Sequence, residues 1–191
     1  MRPAAAILSA LVLALAMPAC DRQDRAETYF TRGVALYDAG DLVKAKLEFR
    51  NVLQIDPKDA RVWYRLGEIE EKQQNWRQAF ASFSKAAELD PENLGARTRK
   101  AWLMQAGGDP DGALAEAAAV LAVNPENRDA LLVRGSIRGE RGKTAAAIAD
   151  AERVLAREPD NWRALGLLAR IRVDQGDVKA ARDLLEQAVA A

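Results

Sequence analysis

The chain has 191 residues, with 28 lysines and arginines against 28 aspartates and glutamates, no histidine and one cysteine. That balance leaves no basic field to draw nucleic acid, and the absence of histidine with only a single cysteine excludes most metal sites and the usual nucleophile and proton-shuttle constellations. Aromatic residues are only 6% of a chain dense in alanine and leucine, a composition that favours helices.

The first segment reads as a leader. One charge, Arg2, precedes an apolar run from Ala4 to Ala16 and a short Met17-Pro18-Ala19 segment before Cys20, the tripartite layout of a secretory signal peptide. The run is shorter than the roughly 20 residues a permanent membrane span needs, so residues 1–19 are expected to be cleaved. Ala19-Cys20 resembles the lipobox of bacterial lipoproteins, in which a small residue precedes a cysteine that becomes diacylated and N-terminal. Met17 and Pro18 depart from the usual Leu-Ala or Leu-Ser of that motif, and cleavage after Ala14-Leu15-Ala16 is the alternative, leaving an ordinary thiol. The resemblance implies export, lipidation of Cys20 and anchoring on the periplasmic side of a bacterial envelope. In enterobacterial lipoproteins an aspartate at the place of Asp21 goes with inner-membrane retention. Residues 20–25 then form a tether of roughly 20 Å at most.

Everything after the tether repeats with a period of 34. Pro57, Pro91, Pro125 and Pro159 form one series, and Ala45, Ala79, Ala113, Ala147 and Ala181 form a second in register with it. Starting repeats at residues 26, 60, 94, 128 and 162 gives units 26–59, 60–93, 94–127, 128–161 and 162–191. In each, apolar residues recur at spacings of three and four, as in Val62, Leu66 and Ile69 and again in Ala79, Phe83 and Ala86, which predicts two amphipathic helices per unit. Gly40, Gly108, Gly142 and Gly176 recur where a left-handed residue can end the first helix. Asp41, Asn75, Asp109 and Asp177 follow as caps for the second, and Asp59, Asn93, Asn127 and Asn161 as caps for the next first helix. Each proline stops the second helix, since it lacks an amide donor and pushes its predecessor out of helical geometry.

The segment Trp63-Tyr64-Arg65-Leu66-Gly67, followed by Ala79, Phe83, Ala86 and Pro91, resembles the tetratricopeptide consensus. That resemblance implies an all-α, right-handed superhelical solenoid of five helical hairpins, with a concave groove lined mainly by first helices. Gly33, Gly67 and Gly135 are expected to face Ala45, Ala79 and Ala147 across each hairpin. Repeat three has Arg97 and Ala101 in place of the aromatic and glycine, and Ala117 and Ala151 replace the large residue of the second helix in repeats three and four. Thinner packing between the helices is expected there. Phe49-Arg50-Asn51-Val52-Leu53-Gln54 with Asp56-Pro57 resembles, more narrowly, the N-terminal repeats of long tetratricopeptide lipoproteins that accompany exopolysaccharide export and PEP-CTERM sorting.

The family pattern implies that function lies in the groove. Phe30, Val34, Tyr37, Tyr64, Glu68 and Trp102 fall on its lining positions and are the candidate site for a protein or peptide ligand. Those rings either receive a partner's helix or extended segment, or pack against neighbouring repeats. Repeats four and five place Asp129, Leu132, Ser136, Gly139, Glu140, Arg163, Gly166 and Arg170 on the same surface. Binding strength is expected at the N-terminal end, on Tyr64 and Trp102 rather than on Arg170. The Lys and Asn pair that clamps a carboxylate in chaperone-binding relatives is missing at those positions. Asp109-Pro110-Asp111-Gly112 begins like a calcium loop but lacks the later ligands and reads as a helical turn, and Glu68, Glu70 and Glu71 read as one face of a regular helix. No phosphate loop occurs. No catalytic residue, metal or cofactor is expected, and the function is read as a non-enzymatic scaffold for envelope assembly or export, with a pilotin-like lipoprotein for secretin or type IV pilus assembly as the alternative.

Overall fold

The computed structural model describes residues 19–190, so residues 1–18 of the expected leader lie outside the described residues, as does the side chain of Cys20. Ten helices make up the described chain, with no strand among the described residues. They are α1 (Ala19–Asp38), α2 (Leu42–Ile55), α3 (Ala60–Lys72), α4 (Trp76–Leu89), α5 (Leu94–Ala106), α6 (Pro110–Val123), α7 (Arg128–Glu140), α8 (Thr144–Leu155), α9 (Trp162–Asp174) and α10 (Val178–Ala190). Each odd-numbered helix pairs with the next even one, and each hairpin packs on its neighbour to form the superhelix. None of the described helices is long and apolar enough to cross a membrane.

The punctuation expected from the repeat operates nearly throughout. Gly40, Gly108, Gly142 and Gly176 have φ of 81°, 87°, 70° and 80°, the left-handed region that a Cβ disfavours. The side chains of Asp59, Asn93, Asn127 and Asn161 each accept a backbone N–H of the first helical turn. Asp41, Asp109 and Asp177 do the same for α2, α6 and α10. Asp109 thus serves the helical turn expected in place of a calcium loop.

Three local expectations are corrected and one is met. Asn75 makes no side-chain cap bond to α4; its amide donates to Glu70 Oε2 at 2.9 Å instead, because Glu70 is buried and needs a donor. The helices of a hairpin do not meet through glycine and alanine alone. A Cβ on Gly33 would stand 2.6 Å from the Phe49 ring, and one on Gly67 2.7 Å from Phe83, so each glycine is the socket for the ring of the second helix. Repeats three and four do have the smaller helix–helix interfaces expected, α5 on α6 and α7 on α8 touching less than α1 on α2 or α3 on α4, while Val120, Leu121, Leu131, Val133 and Ile137 form a buried cluster around the small Ala101, Ala113 and Ala117. The tether is helical, because α1 reaches back to Ala19 and residues 20–25 therefore rise only about 9 Å.

Where the aromatic plug is absent, ion pairs take its place. In repeat three Glu116 accepts from Arg97 Nε at 3.0 Å and Lys100 Nζ at 2.7 Å. In repeat four Asp150, 2% exposed, accepts from Arg134 at 2.6 and 3.0 Å and from Arg138 at 2.8 Å. Both carboxylates belong to the second helix and both sets of cations to the first, so each hairpin is closed by charge where Phe49 and Phe83 close the first two by shape.

Candidate functional site

The 34-residue period brings equivalent positions of successive first helices side by side, and polar contacts record it. Arg61 donates to Glu27 Oε2 at 2.9 Å, Arg163 to Asp129 Oδ1 at 3.5 Å and Arg170 to Ser136 Oγ at 3.1 Å. The concave surface is therefore a ladder whose rungs are side chains at fixed repeat positions, and its depth at each rung depends on residue size.

At the N-terminal end the rungs are filled. Phe30 lies 5.9 Å from Phe49 and beneath the Arg61 guanidinium, 4.3 Å from its centroid. Tyr37 is covered by Lys72 at 4.2 Å and Arg65 at 5.6 Å, and Val34 packs on the buried cluster of repeats one and two. Tyr64 stacks edge-on to Phe83 at 5.6 Å and rests against repeat three, where a Cβ on Gly95 would meet its hydroxyl at 3.2 Å. Burial first, and the nearby Glu68 carboxylate second, push the Tyr64 phenol up, against the opposing pull of Arg99 and Arg65. It stays neutral at physiological pH. Glu68 is held by Arg65 at 2.8 Å. Five of the six expected site residues are thus half-buried and covered by their own chain.

Trp102 is the sixth, 40% exposed, and it stands at the edge of a cavity of about 610 Å³ formed by α5, α7 and α9. Trp76 supports it edge-on at 5.9 Å. Leu132, Val133 and Leu167 give the cavity an apolar wall, Trp162 its far rim, and Asp129, Arg163, Glu140 and Arg170 its charged margins. A polar chain crosses one side: Gln105 donates to Ser136 Oγ at 2.9 Å and Glu140 Oε1 at 3.0 Å, and Arg170 reaches the Ser136 carbonyl at 3.2 Å. The depth comes from the fifth repeat position, which runs Phe30, Tyr64, Thr98, Leu132 and Gly166 along the chain. The rings of the first two repeats give way to smaller side chains in the last three, and the groove opens.

This cavity thus lies in repeats three to five, whereas binding was expected toward the N-terminal end, and of the expected residues it includes Trp102 alone. The lining pattern did place Asp129, Leu132, Ser136, Glu140, Arg163, Gly166 and Arg170 on this surface. It missed Trp162, 62% exposed, because a first repeat position lies outside that pattern. The available signal was a tryptophan directly after the cap Asn161, where neither core nor capping calls for one. Among the described residues no cluster of three carboxylates, cysteines or histidines could hold a metal ion.

Five stacked hairpins with a groove along the first helices define a tetratricopeptide-repeat solenoid. Residues 31–156 match the family model described as the cytochrome c-type biogenesis protein H TPR domain, and residues 140–191 a second tetratricopeptide-repeat model. The chain belongs to this tetratricopeptide-repeat family. Among curated proteins it is similar to the peroxisomal targeting signal receptor of Komagataella phaffii, 37% identical over 65 residues, which are 34% of this chain and 11% of that one. It is also similar to superkiller complex protein 3 of Homo sapiens, 30% identical over 93 residues, covering 49% and 6%. The chain spans about a tenth or less of the length of these relatives. Solved structures share the fold. MamA superposes with a TM-score of 0.70 at 20% identity over 88% of this chain and 92% of that one. PilW, described as a widely conserved type IV pilus biogenesis factor, gives 0.73 at 22% over 86% and 76%. YrrB, described as having an unusual peptide-binding site, gives 0.69 at 18% over 89% and 88%.

Proposed function

We propose that this chain is a non-enzymatic scaffold on the periplasmic face of a bacterial envelope, held there by a lipid on Cys20, and that it captures a partner protein in the cavity of repeats three to five. The observation that carries the capture site is the cavity itself: two exposed tryptophans flank a concavity whose wall includes the half-buried Leu132 above the buried Val133 and Leu167. Aromatic anchors with apolar walls and a few directional polar groups are the recurring make-up of peptide sites. The family model's name, and PilW and YrrB among the structural neighbours, support a role in binding during envelope assembly or export. A pilotin-like role is the second reading, favoured by the PilW likeness.

Two experiments test this. A photo-crosslinking residue at Leu132 should trap a defined partner that is lost on Trp102→Ala, whereas the same residue at Val123, exposed and outside the cavity, should not trap it. Equal trapping from both positions would sink the capture site. For the anchor, Cys20→Ser should release the protein from the membrane fraction or block leader processing. Unchanged fractionation with normal cleavage would rule the lipid out.

A further inference from the structure

Gly166 is a glycine for which neither the helix nor its packing gives a reason. It lies inside α9, where glycine is among the least favourable residues, and its φ is not in the left-handed region. A Cβ built on it would meet nothing within 4 Å, in contrast to Gly33 and Gly67, whose Cβ atoms would strike Phe49 and Phe83. Alanine would fit and would strengthen the helix. What glycine does here is keep the floor of the cavity open.

We infer that Gly166 sets the specificity of the groove: it admits one bulky apolar side chain of an extended partner segment, seated between Trp102 and Trp162, with a carboxylate of the same segment taken by Arg163 or Arg170. This deepens the capture-site reading and rests on it. The volume, about 610 Å³, is that of a pocket for a few side chains rather than of a trough for a long helix.

The carboxylate follows from the charges at the rim. Arg163 and Arg170 are about half exposed, and each holds its carboxylate neighbour at 3.5 Å, Asp129 and Glu140 respectively. Those are long, weak pairs. Both acids keep other partners if the arginines turn to a ligand, since Asp129 is also held by Arg128 at 3.3 Å and Glu140 by Gln105 at 3.0 Å. The two guanidiniums can therefore turn to an incoming anion without orphaning either acid, and a planar fork suits a carboxylate. A basic segment would meet the same arginines as repulsion, offset in part by Asp129 and Glu140 beside them.

The test uses a random 12-residue peptide display library panned on the full chain, with the enriched peptides synthesised and titrated against wild type, Gly166→Phe and Trp102→Ala. Phenylalanine already occupies this repeat position as Phe30, so Gly166→Phe is expected to keep the helical spectrum and the melting temperature. Expected are peptides with a bulky apolar residue and an aspartate or glutamate within two positions of it, bound at least tenfold more weakly by Gly166→Phe and by Trp102→Ala. Peptides that need Trp102 but tolerate Gly166→Phe, or that lack the acidic residue, overturn this inference and leave the capture site standing. No enrichment, or enriched peptides indifferent to Trp102, overturns both. Gly166→Ala, which cannot damage the fold by overpacking, should weaken the same peptides to an intermediate degree, and equal affinity for it and wild type counts against the inference.

Discussion

Asp150 sits with almost no solvent between two arginines of the facing helix, at the repeat position where Glu48, Ser82 and Glu116 stand elsewhere. Its neighbour Ala151 is the small residue that replaces Phe49 and Phe83, so the hairpin has exchanged an aromatic plug for charge. A buried pair is costly to make and costlier to break, because the surviving cations lose their counter-charge while their desolvation remains. Asp150→Ala is expected to destabilise by about 3 kcal/mol, toward the low end for a broken buried pair because both guanidiniums reach solvent. Denaturant melts measure it. Changing Asp150, Arg134 and Arg138 together to apolar residues of similar volume should recover most of that loss, and a triple variant as weak as the single one would show that shape rather than charge is at fault. The same scale holds Gln74, at φ 59° where four other repeats have glycine, and Trp63, whose Nε1 donates to the Pro57 carbonyl at 3.0 Å and ties the turn before α3 to its helix.

Helix ends are where the elements differ most. Three of the five second helices begin at an aspartate that caps the first turn, while α8 begins after Lys143, which makes no side-chain cap bond and places a positive charge at the positive end of the helix. Lys143→Asp should therefore stabilise by about 1 kcal/mol, raising the melting temperature by about 2–4 °C for a domain of this size. A flat or lowered melting temperature would mean that the loop before α8 cannot present the carboxylate. The ends were legible in the sequence because caps, prolines and left-handed glycines act within a few residues of themselves. Asn75 was not, since its amide is drawn away by Glu70, a contact decided by the buried charge of Glu70. The ring sockets at Gly33 and Gly67 were half legible: the spacing marked the glycines, but only the superposed helices show that Phe49 and Phe83, not the alanines, fill them.

The solenoid as a whole is a chain of nearest-neighbour interfaces, and the groove is a property of that chain rather than of any hairpin. Its lining positions could be read from the period; its depth could not, because depth is the sum over three helices of what the fifth-position side chains leave empty. The same stacking buries charge between repeats. Glu70 of α3 is paired with Lys46 of α2 at 2.5 Å and accepts from Asn75. Burial alone would push its carboxyl up, but the hydrogen bonds from Lys46 and Asn75 together outweigh it and hold the carboxyl below its usual range. Glu116 is held low in the same way, burial opposing and Lys100 and Arg97 prevailing. Because both carboxyls are depressed in the folded chain, the stability they contribute is fully present above the unfolded glutamate pKa of about 4.3 and is lost as pH falls through the lower folded values. Thermal melts from pH 6 to pH 3 should therefore show little change down to about pH 5 and a steepening fall below about pH 4. Glu70→Gln should start lower at pH 6, having lost an ionic link between repeats one and two, and then fall less steeply. If its curve runs parallel to wild type across the whole range, the acid sensitivity of the solenoid does not reside at this interface.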